Sequence, residues 1–216
     1  MVIPARADEP FLSEAIESAL SEPEVAELVV ATHEANSPTT RLVLGHIDPR
    51  INLVYSRGPS AAENLDAGIP RTTSPWLAFL DADDRWPPGR IATALRAAVA
   101  APGTELVIGC QQAMGENGSL IDVTAPAPLL GAALITRAAA DRIGAFGTDM
   151  VAQMRWLLRA SELGVPTVEL PDVVLHRRAH AGNLTRVQRP ELHRAYLRLA
   201  REQVARRRHR AERRDG

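Results

Sequence analysis

The chain has 216 residues, 45% hydrophobic and 24% charged, a composition typical of one globular domain that excludes a disordered or fibrous protein. A formal net charge of −1 argues against a general nucleic-acid-binding protein, and the single cysteine excludes an internal disulfide bond. The sequence shows no leader pattern and no apolar run of the roughly 18–20 residues that span a membrane, so we expect a cytoplasmic protein without an integral membrane segment.

The basic residues, all 25 of them arginine, are unevenly distributed along the chain. Residues 189–216 contain ten arginines and four acidic residues, so this segment carries a charge of +6 and the rest of the chain −7. We therefore divide the sequence into a main domain, residues 1–188, and an arginine-rich C-terminal helix or tail, residues 189–216. We expect a solvated helix end, and the alternative is contact with acidic lipid at a membrane surface, RNA or an acidic partner.

The first half of the chain alternates between strand-like and helix-like segments. Apolar residues at helical spacing predict an amphipathic helix over Leu12–Leu20, and the polar stretch 32–40 is predicted to be a loop. Strands are predicted over residues 2–5, 25–31, 51–55, 76–80 and 105–109, and further helices over 60–69 and 87–100. Strands separated by helices at this spacing indicate an α/β fold with a mostly parallel central sheet and helices on both faces.

The second half of the chain is less regular. A turn between two strands is predicted at residues 115–119, and an apolar segment follows at 129–136. Helices are predicted over 137–144 and 151–164, two strand-like runs lie within 167–178, and a last helix begins near Pro190. No internal repeat interrupts this order, so the sequence predicts one α/β domain.

Three carboxylates, Asp81, Asp83 and Asp84, directly follow the buried strand predicted at residues 76–80. In an open α/β sheet, ligands bind at the carboxyl ends of the strands. Carboxylates one residue apart can share Mg²⁺ or Mn²⁺, which then keeps substrate phosphate oxygens as further ligands. The simpler interpretation is a solvated acidic turn before the helix that begins near Pro87.

In its surroundings, this motif resembles that of the family 2 glycosyltransferases of the GT-A fold. Residues 79–84, Phe-Leu-Asp-Ala-Asp-Asp, are similar to the family's Asp-x-Asp signature, and residues 86–90 continue it. The other similar segments, in chain order, are the opening strand and helix, residues 65–69, residues 131–146 and the basic strand end at residues 176–180. The order and separation of these segments make the resemblance specific.

The resemblance implies a metal-assisted, inverting transfer of a sugar from a nucleotide-diphosphate sugar to an acceptor, which is a glycan, lipid, peptide or small molecule. It implies that Asp83 and Asp81 bind the metal, that Asp81 lies near the donor ribose, and that Asp84 lies beside the transferred sugar. The residues implied in donor binding are Pro4, Arg6, Asp66, Asp81, Arg177, Arg178 and His180. For the two neighbouring arginines the alternative is a basic surface strand.

Two departures from the family pattern bear on the chemistry. The aspartate that reads the nucleotide base after the second strand is absent, and Thr32 or Glu34 is the candidate to replace it. The acidic residues expected just before the Trp-x-x-Arg-like helix are replaced, with Gln153 in one of their places. Asp149 is the nearest carboxylate, and we expect it to act as the catalytic base or to cap the helix.

The sequence leaves three functions open. A glycosyltransferase is favoured, and Trp86 is then the aromatic residue expected at the rim of its site. A degenerate glycosyltransferase-like domain kept as a binding or scaffold module is the alternative that the two departures support. A nucleotidyltransferase needs a glycine-rich loop after the first strand, where residues 4–8 contain one arginine and no glycine.

Overall fold

A computed structural model describes residues 1–180, 182 and 189–212, and the side chains of 189 and 203–212 are not described. The chain divides into two compact units. The first unit contains residues 1–148 and 152–179, and the second contains residues 149–151 together with the chain from residue 180 onward. The predicted boundary after residue 188 lies in a stretch outside the described residues.

The first unit contains the strands and all but the last of the helices described. The strands are β1 (Val2–Pro4), β2 (Leu28–Thr32), β3 (Ile51–Tyr55), β4 (Trp76–Ala78), β5 (Leu106–Gly115), β6 (Leu120–Pro126), β7 (Ala133–Thr136) and β8 (Thr167–Ala179). The helices are α1 (Leu12–Leu20), α2 (Pro38–Gly45), α3 (Ala61–Gly68), α4 (Arg90–Ala100), α5 (Arg137–Ile143) and α6 (Ala152–Glu162).

The sheet is parallel in its first half and mixed in its second. Strands β1, β2 and β3 pair in parallel in that order. Strands β4, β7, β5 and β6 pair antiparallel, and β8 pairs with β5 in parallel. A parallel bridge between Val2 and Phe79 joins the two halves next to β4.

Helices cover both faces of this sheet, as the sequence predicts. Successive side chains of a strand point to opposite faces, and β1 shows the division. Ile3 packs in a core with apolar residues of α1, α2 and α4. Val2 belongs to a second core with residues of α3, α5 and α6. The predicted α/β class is confirmed, and the strand–helix alternation brings the ends of β1, β2 and β4 to one edge.

Several predicted boundaries differ from the structure by two or three residues, and two larger differences have a clear physical cause. The stretch 32–40 is not all loop, because α2 begins at Pro38 with the Ser37 side chain accepting a hydrogen bond from the Thr40 amide at 3.1 Å. β5 continues six residues beyond the predicted strand end, because β6 and β8 both pair with its second half.

The second unit contains the last helix, α7 (Arg189–Glu212), which confirms the helix predicted from Pro190. Among its described side chains, Arg194 and Glu191 form an exposed ion pair at 3.2 Å. Leu199 is buried. No helix in the described part of the chain is long and apolar enough to cross a membrane.

Candidate functional site

The acidic loop, residues 81–84, follows β4 at the carboxyl edge of the sheet. The amide of Leu80 donates to the Val2 carbonyl at 3.2 Å, so the chain leaving β4 runs beside β1. The Asp84 amide then donates to the Asp81 carbonyl at 3.0 Å, which closes a tight turn. The carboxylates predicted as metal ligands therefore emerge where parallel strands of an α/β sheet bind ligands.

The three carboxylates of the acidic loop differ in burial. Asp84 is buried, whereas Asp81 and Asp83 are partly exposed. Burial and the neighbouring charge of Asp83 raise the pKa of Asp81 above its ordinary value, and a hydrogen bond from Gln153 opposes this shift. Burial, followed by the charges of Asp83 and Asp81, raises the pKa of Asp84 well above its ordinary value. The loop thus concentrates negative charge that a cation would stabilise.

This charge concentration is the test of whether the loop fits a metal ion. Mg²⁺ and Mn²⁺ prefer carboxylate oxygens, and Mg²⁺ is commonly held by one or two carboxylates with substrate phosphates and water. Asp81 and Asp83 supply that donor set and raise each other's electrostatic energy in its absence. Within the described residues, no group of three or more His, Cys, Asp or Glu side chains forms a metal site. The loop therefore fits a cation whose coordination is completed by phosphate oxygens.

The basic end of β8 lies against the acidic loop. The Arg85 amide donates to the His176 carbonyl at 3.0 Å, and the His176 amide donates back to the Arg85 carbonyl at 2.8 Å. Arg177, two positions from the end of β8, is partly exposed, and its charge lowers the pKa of both Asp81 and Asp84. The predicted basic and acidic motifs are thus brought together.

The neighbouring Arg178 has a different environment from that of Arg177, because its side chain is fully buried. Its amide donates to Asp84 Oδ1 at 2.8 Å, and its Nε donates to the Asp83 carbonyl at 2.9 Å. Its Nη2 donates to Glu14 Oε2 at 2.7 Å. The guanidinium predicted to contact a diphosphate is thus committed to protein groups, and alternation along a strand already indicates that adjacent arginines face opposite sides.

The predicted contacts at the end of β1 lie at the same edge. Pro4 is buried in β1. Arg6 Nη2 pairs with Glu9 Oε2 at 2.9 Å. The hydrogen bond with Glu9 raises the pKa of Arg6, and the charge of Asp83 contributes in the same direction. Arg6 therefore lies within electrostatic reach of the acidic loop.

Asp66, on α3, holds a turn of the protein. Its Oδ1 accepts from the Phe146 amide at 2.8 Å, and its Oδ2 accepts from the Gly147 amide at 3.2 Å. Phe146 stacks on the fully buried Trp156, with ring centroids 4.8 Å apart. Both carboxylate oxygens of Asp66 thus have backbone partners, unlike those of a side chain left open to a donor sugar.

Two predicted site residues, Asp149 and His180, belong to the second unit. Asp149 is exposed, and its Oδ1 accepts a hydrogen bond from the Val151 amide at 2.8 Å. This is a local turn contact between residues two positions apart in the chain, just before α6 begins at Ala152. His180 is buried, and its Nδ1 accepts from the Gly182 amide at 3.2 Å.

Gln153, in the first turn of α6, contacts the acidic loop. Its Nε2 donates to Asp81 Oδ1 at 3.3 Å. An amide has no basic site that could take a proton near neutral pH, whereas it can orient a carboxylate. One of the positions where the family pattern predicts an acid is therefore occupied by a hydrogen-bond donor.

The candidates for base reading, Thr32 and Glu34, differ in environment. Thr32 ends β2 and is fully buried, and its Oγ1 makes no hydrogen bond within the described part of the chain. Glu34 is largely exposed and lies 3.2 Å from His33 Nε2. Trp86, expected at the rim, is instead buried, and its Nε1 donates to the Gly131 carbonyl at 3.2 Å.

Sequence reasoning missed Asn64, which joins three segments at this edge. Its side chain is buried in α3, and Nδ2 donates to the Ala5 carbonyl at 3.1 Å. Its Oδ1 accepts from Ser56 Oγ at 2.5 Å. An asparagine on the apolar side of a predicted helix is the only signal in the sequence, and it does not say which segments the amide joins.

The comparisons place the chain in a known family. The family described as "Glycosyl transferase family 2" matches residues 1–151. Succinoglycan biosynthesis protein ExoO of Rhizobium meliloti (strain 1021) is 36% identical over 98 residues, which are 44% of this chain and 27% of that protein. Succinoglycan biosynthesis protein ExoU of the same strain is 35% identical over 100 residues, 44% of this chain and 29% of that protein. The matches thus span less than a third of these relatives.

Solved structures share the fold at low sequence identity. The mannosyltransferase PcManGT from Pyrobaculum calidifontis, in complex with GDP-Man and Mn²⁺, has a TM-score of 0.63 and 20% identity, and the match covers 84% of this chain and 57% of that one. S. aureus TarS in complex with UDP-GlcNAc has a TM-score of 0.66 and 14% identity, covering 84% of this chain and 58% of that one. At these identities the similarity establishes the fold.

Proposed function

Because this chain is a GT-A-fold member of glycosyl transferase family 2, we propose that it transfers a sugar from a nucleotide-diphosphate sugar to an acceptor, with inversion at the anomeric carbon. The observation that carries the proposal is the meeting of the acidic loop with the basic end of β8. The charge of Arg177 acts on the carboxylates of Asp81 and Asp84 across this edge. A metal–diphosphate group needs this combination of carboxylates and a guanidinium.

In the proposed donor complex, Asp83 and Asp81 hold Mg²⁺ or Mn²⁺. The bound cation would neutralise negative charge on the departing diphosphate. Arg177 pairs with a phosphate oxygen, since a guanidinium matches the geometry of two phosphate oxygens. Asp84 is buried and accepts the Arg178 amide, so we assign it to the shape of the loop rather than to direct contact with the sugar.

The nucleotide is proposed to lie along the ends of β1 and β2, with Pro4, Arg6 and Thr32 beside it. The two solved structures carry different nucleotides, GDP-Man in one and UDP-GlcNAc in the other, so they support the donor class and leave the base open. PcManGT was solved with Mn²⁺, which supports a divalent cation. Among the remaining predicted contacts, Asp66 is proposed in support of the 146–147 turn.

The transfer itself needs a group that accepts a proton. In the proposed reaction, an acceptor hydroxyl oxygen attacks the anomeric carbon, the bond from that carbon to the diphosphate oxygen breaks, and the nucleoside diphosphate leaves. The hydroxyl proton passes to a carboxylate, for which we propose Asp149, since Gln153 cannot serve. The two curated relatives are named for biosynthesis of succinoglycan, which supports a saccharide as the acceptor.

The test is release of nucleoside diphosphate from a panel of nucleotide sugars with Mn²⁺, measured with and without saccharide acceptors. We expect turnover with one donor class, loss of turnover in Asp83→Asn, and a drop of about 10²–10⁴-fold in Asp149→Asn. Asp141→Asn, at an exposed position of α5, is the matched control and keeps wild-type turnover.

A binding module without catalysis is the second candidate, and the amide of Gln153 next to Asp81 favours it. Such a module binds the nucleotide sugar in a metal-dependent way but releases no diphosphate with any acceptor. Turnover by the wild-type protein would exclude the binding module, and normal turnover in Asp83→Asn would contradict the metal site of the first candidate.

A further inference from the structure

Resting on the proposed function, we propose that Arg178 and Glu14 are positioning residues that fix the acidic loop for the metal and the diphosphate. Arg178 touches the loop at two points. Its backbone amide holds the Asp84 carboxylate at 2.8 Å, and its Nε holds the Asp83 carbonyl at 2.9 Å. The peptide that follows the proposed metal ligand is therefore fixed by one residue of β8.

The same guanidinium reaches two further segments of the protein. Nη1 donates to the Glu116 carbonyl at 2.7 Å, in the turn between β5 and β6. Nη2 donates to Glu14 Oε2 at 2.7 Å, on α1. The central carbon of the guanidinium lies over the Phe11 ring, 4.3 Å from the ring centroid. Three nitrogens thus connect the acidic loop to a hairpin turn and to a helix, and a shift of the loop must break several of these contacts.

Glu14 makes the burial of this charge possible. A guanidinium without exposed surface needs a countercharge and hydrogen-bond partners, since an uncompensated buried charge is strongly unfavourable. The Glu14 carboxylate supplies the charge, and Arg85 Nη1 approaches the same oxygen at 3.3 Å. Loss of Glu14 therefore removes the partner that holds Arg178 in its place.

This arrangement differs from a direct phosphate contact in a measurable way. A phosphate-binding arginine contributes to nucleotide affinity whether or not a metal is present. A positioning arginine acts through the geometry of the metal ligands, so its loss lowers the metal-dependent part of the affinity. Outer partners of metal ligands typically contribute 10–100-fold to metal affinity.

The experiment compares Arg178→Met, Arg178→Lys and Glu14→Gln with wild type in titrations of nucleoside diphosphates, with Mn²⁺ and with EDTA. We expect Arg178→Met to lose about 10–100-fold in affinity with Mn²⁺ and to match wild type in EDTA. Arg178→Lys and Glu14→Gln lose less, because each keeps part of the network. Amide hydrogen exchange of the peptide covering residues 79–86 is faster in Arg178→Met than in wild type.

Arg50→Met is the matched control. Arg50 also bonds the carboxylate of Asp48 and the backbone carbonyls of Val25 and Leu20. None of these groups belongs to the acidic loop. We expect Arg50→Met to lower the unfolding temperature without changing the Mn²⁺-dependent affinity. Unchanged affinity and exchange in every Arg178 and Glu14 variant would overturn the proposal. An equal loss in Mn²⁺ and in EDTA would also overturn it and assign a direct phosphate contact.

The two proposals fail separately in this experiment. If wild type binds no nucleoside diphosphate with Mn²⁺, the donor site is wrong. Hydrogen exchange in residues 79–86 then still decides whether Arg178 fixes the loop, since that readout needs no ligand. If Arg178→Met does not fold, Arg178→Lys and Glu14→Gln supply the same comparison.

Discussion

Gln153 Nε2 lies 3.3 Å from Asp81 Oδ1 and donates a hydrogen bond to it. One of the positions at which the family pattern leads us to expect an acidic residue thus supplies a hydrogen-bond donor to a proposed metal ligand. The bond stabilises the charged form of Asp81 and so lowers the pKa that burial and Asp83 raise. The helix α6 therefore contributes to the shape and charge of the acidic loop.

Gln153→Glu places a second carboxylate against Asp81. The repulsion between two full charges about 4 Å apart is about 1 kcal/mol in bulk water and about 4 kcal/mol near a protein surface. We expect the variant to melt at a lower temperature than wild type in EDTA, and Mn²⁺ to raise its melting temperature more than that of wild type. Gln153→Met, of similar length and without charge, is the control. Equal Mn²⁺ shifts in all three proteins would count against this arrangement.

Glu27 predicts an acid-dependent part of the stability. Partial burial raises its pKa, but hydrogen bonds from the amides and hydroxyls of Thr73 and Ser74 outweigh that effect and lower the pKa from 4.5 to about 2. A lowered folded-state pKa stabilises the protein above pH 4.5, and this contribution is lost as the pH falls toward 2.

The corresponding variant is Glu27→Gln. Allowing for solvent screening of a largely accessible group, we expect it to lower the free energy of unfolding by about 1–2 kcal/mol at pH 7, with a smaller difference at pH 3. Urea unfolding at both pH values measures this. Glu24→Gln, at an exposed position, is the control. A Glu27→Gln deficit that is as large at pH 3 as at pH 7 would show that the carboxylate charge is not responsible.

Asn64→Asp tests the junction between β1, β3 and α3. The substitution replaces the amide donor that faces the Ala5 carbonyl at 3.1 Å with an acceptor, so two oxygens face each other in a buried place. We expect the free energy of unfolding to fall by about 1–3 kcal/mol. The melting temperature falls by about 2–4 °C for each kcal/mol. The control is Asn52→Asp, at an exposed position of β3. Equal unfolding free energies for the two variants would contradict a stabilising role for the Asn64 amide.

Local pattern predicted most elements of the fold. The 3.6-residue period located α1, and the strand predicted at residues 51–55 is β3 with its observed bounds. Helix α2 was missed because it begins within a polar stretch that resembles a loop, although Ser37 and Pro38 are a typical helix start. The length of β5 was missed because pairing with β6 and β8, which are distant in sequence, sets it.

The candidate site was predictable in position but not in the division of roles. The apolar strand before Asp81 indicated that the carboxylates lie at the edge of the sheet formed by the carboxyl ends of the strands. The different environments of Arg177 and Arg178 depend on Glu14 and Glu116, which lie far away in the sequence. The burial of Trp86 likewise depends on the Gly131 carbonyl, which no local pattern reveals.

A metal–diphosphate site at the acidic loop is tested by calorimetric titration of uridine, guanosine, adenosine, cytidine and thymidine diphosphates, each with Mn²⁺ and with EDTA. The account predicts Mn²⁺-dependent binding of one diphosphate by wild type, a loss of at least about tenfold in Asp83→Ala, and full binding in Asp141→Ala. Absence of binding to every diphosphate, or equal affinity in Asp83→Ala, would contradict a metal–diphosphate site at the acidic loop.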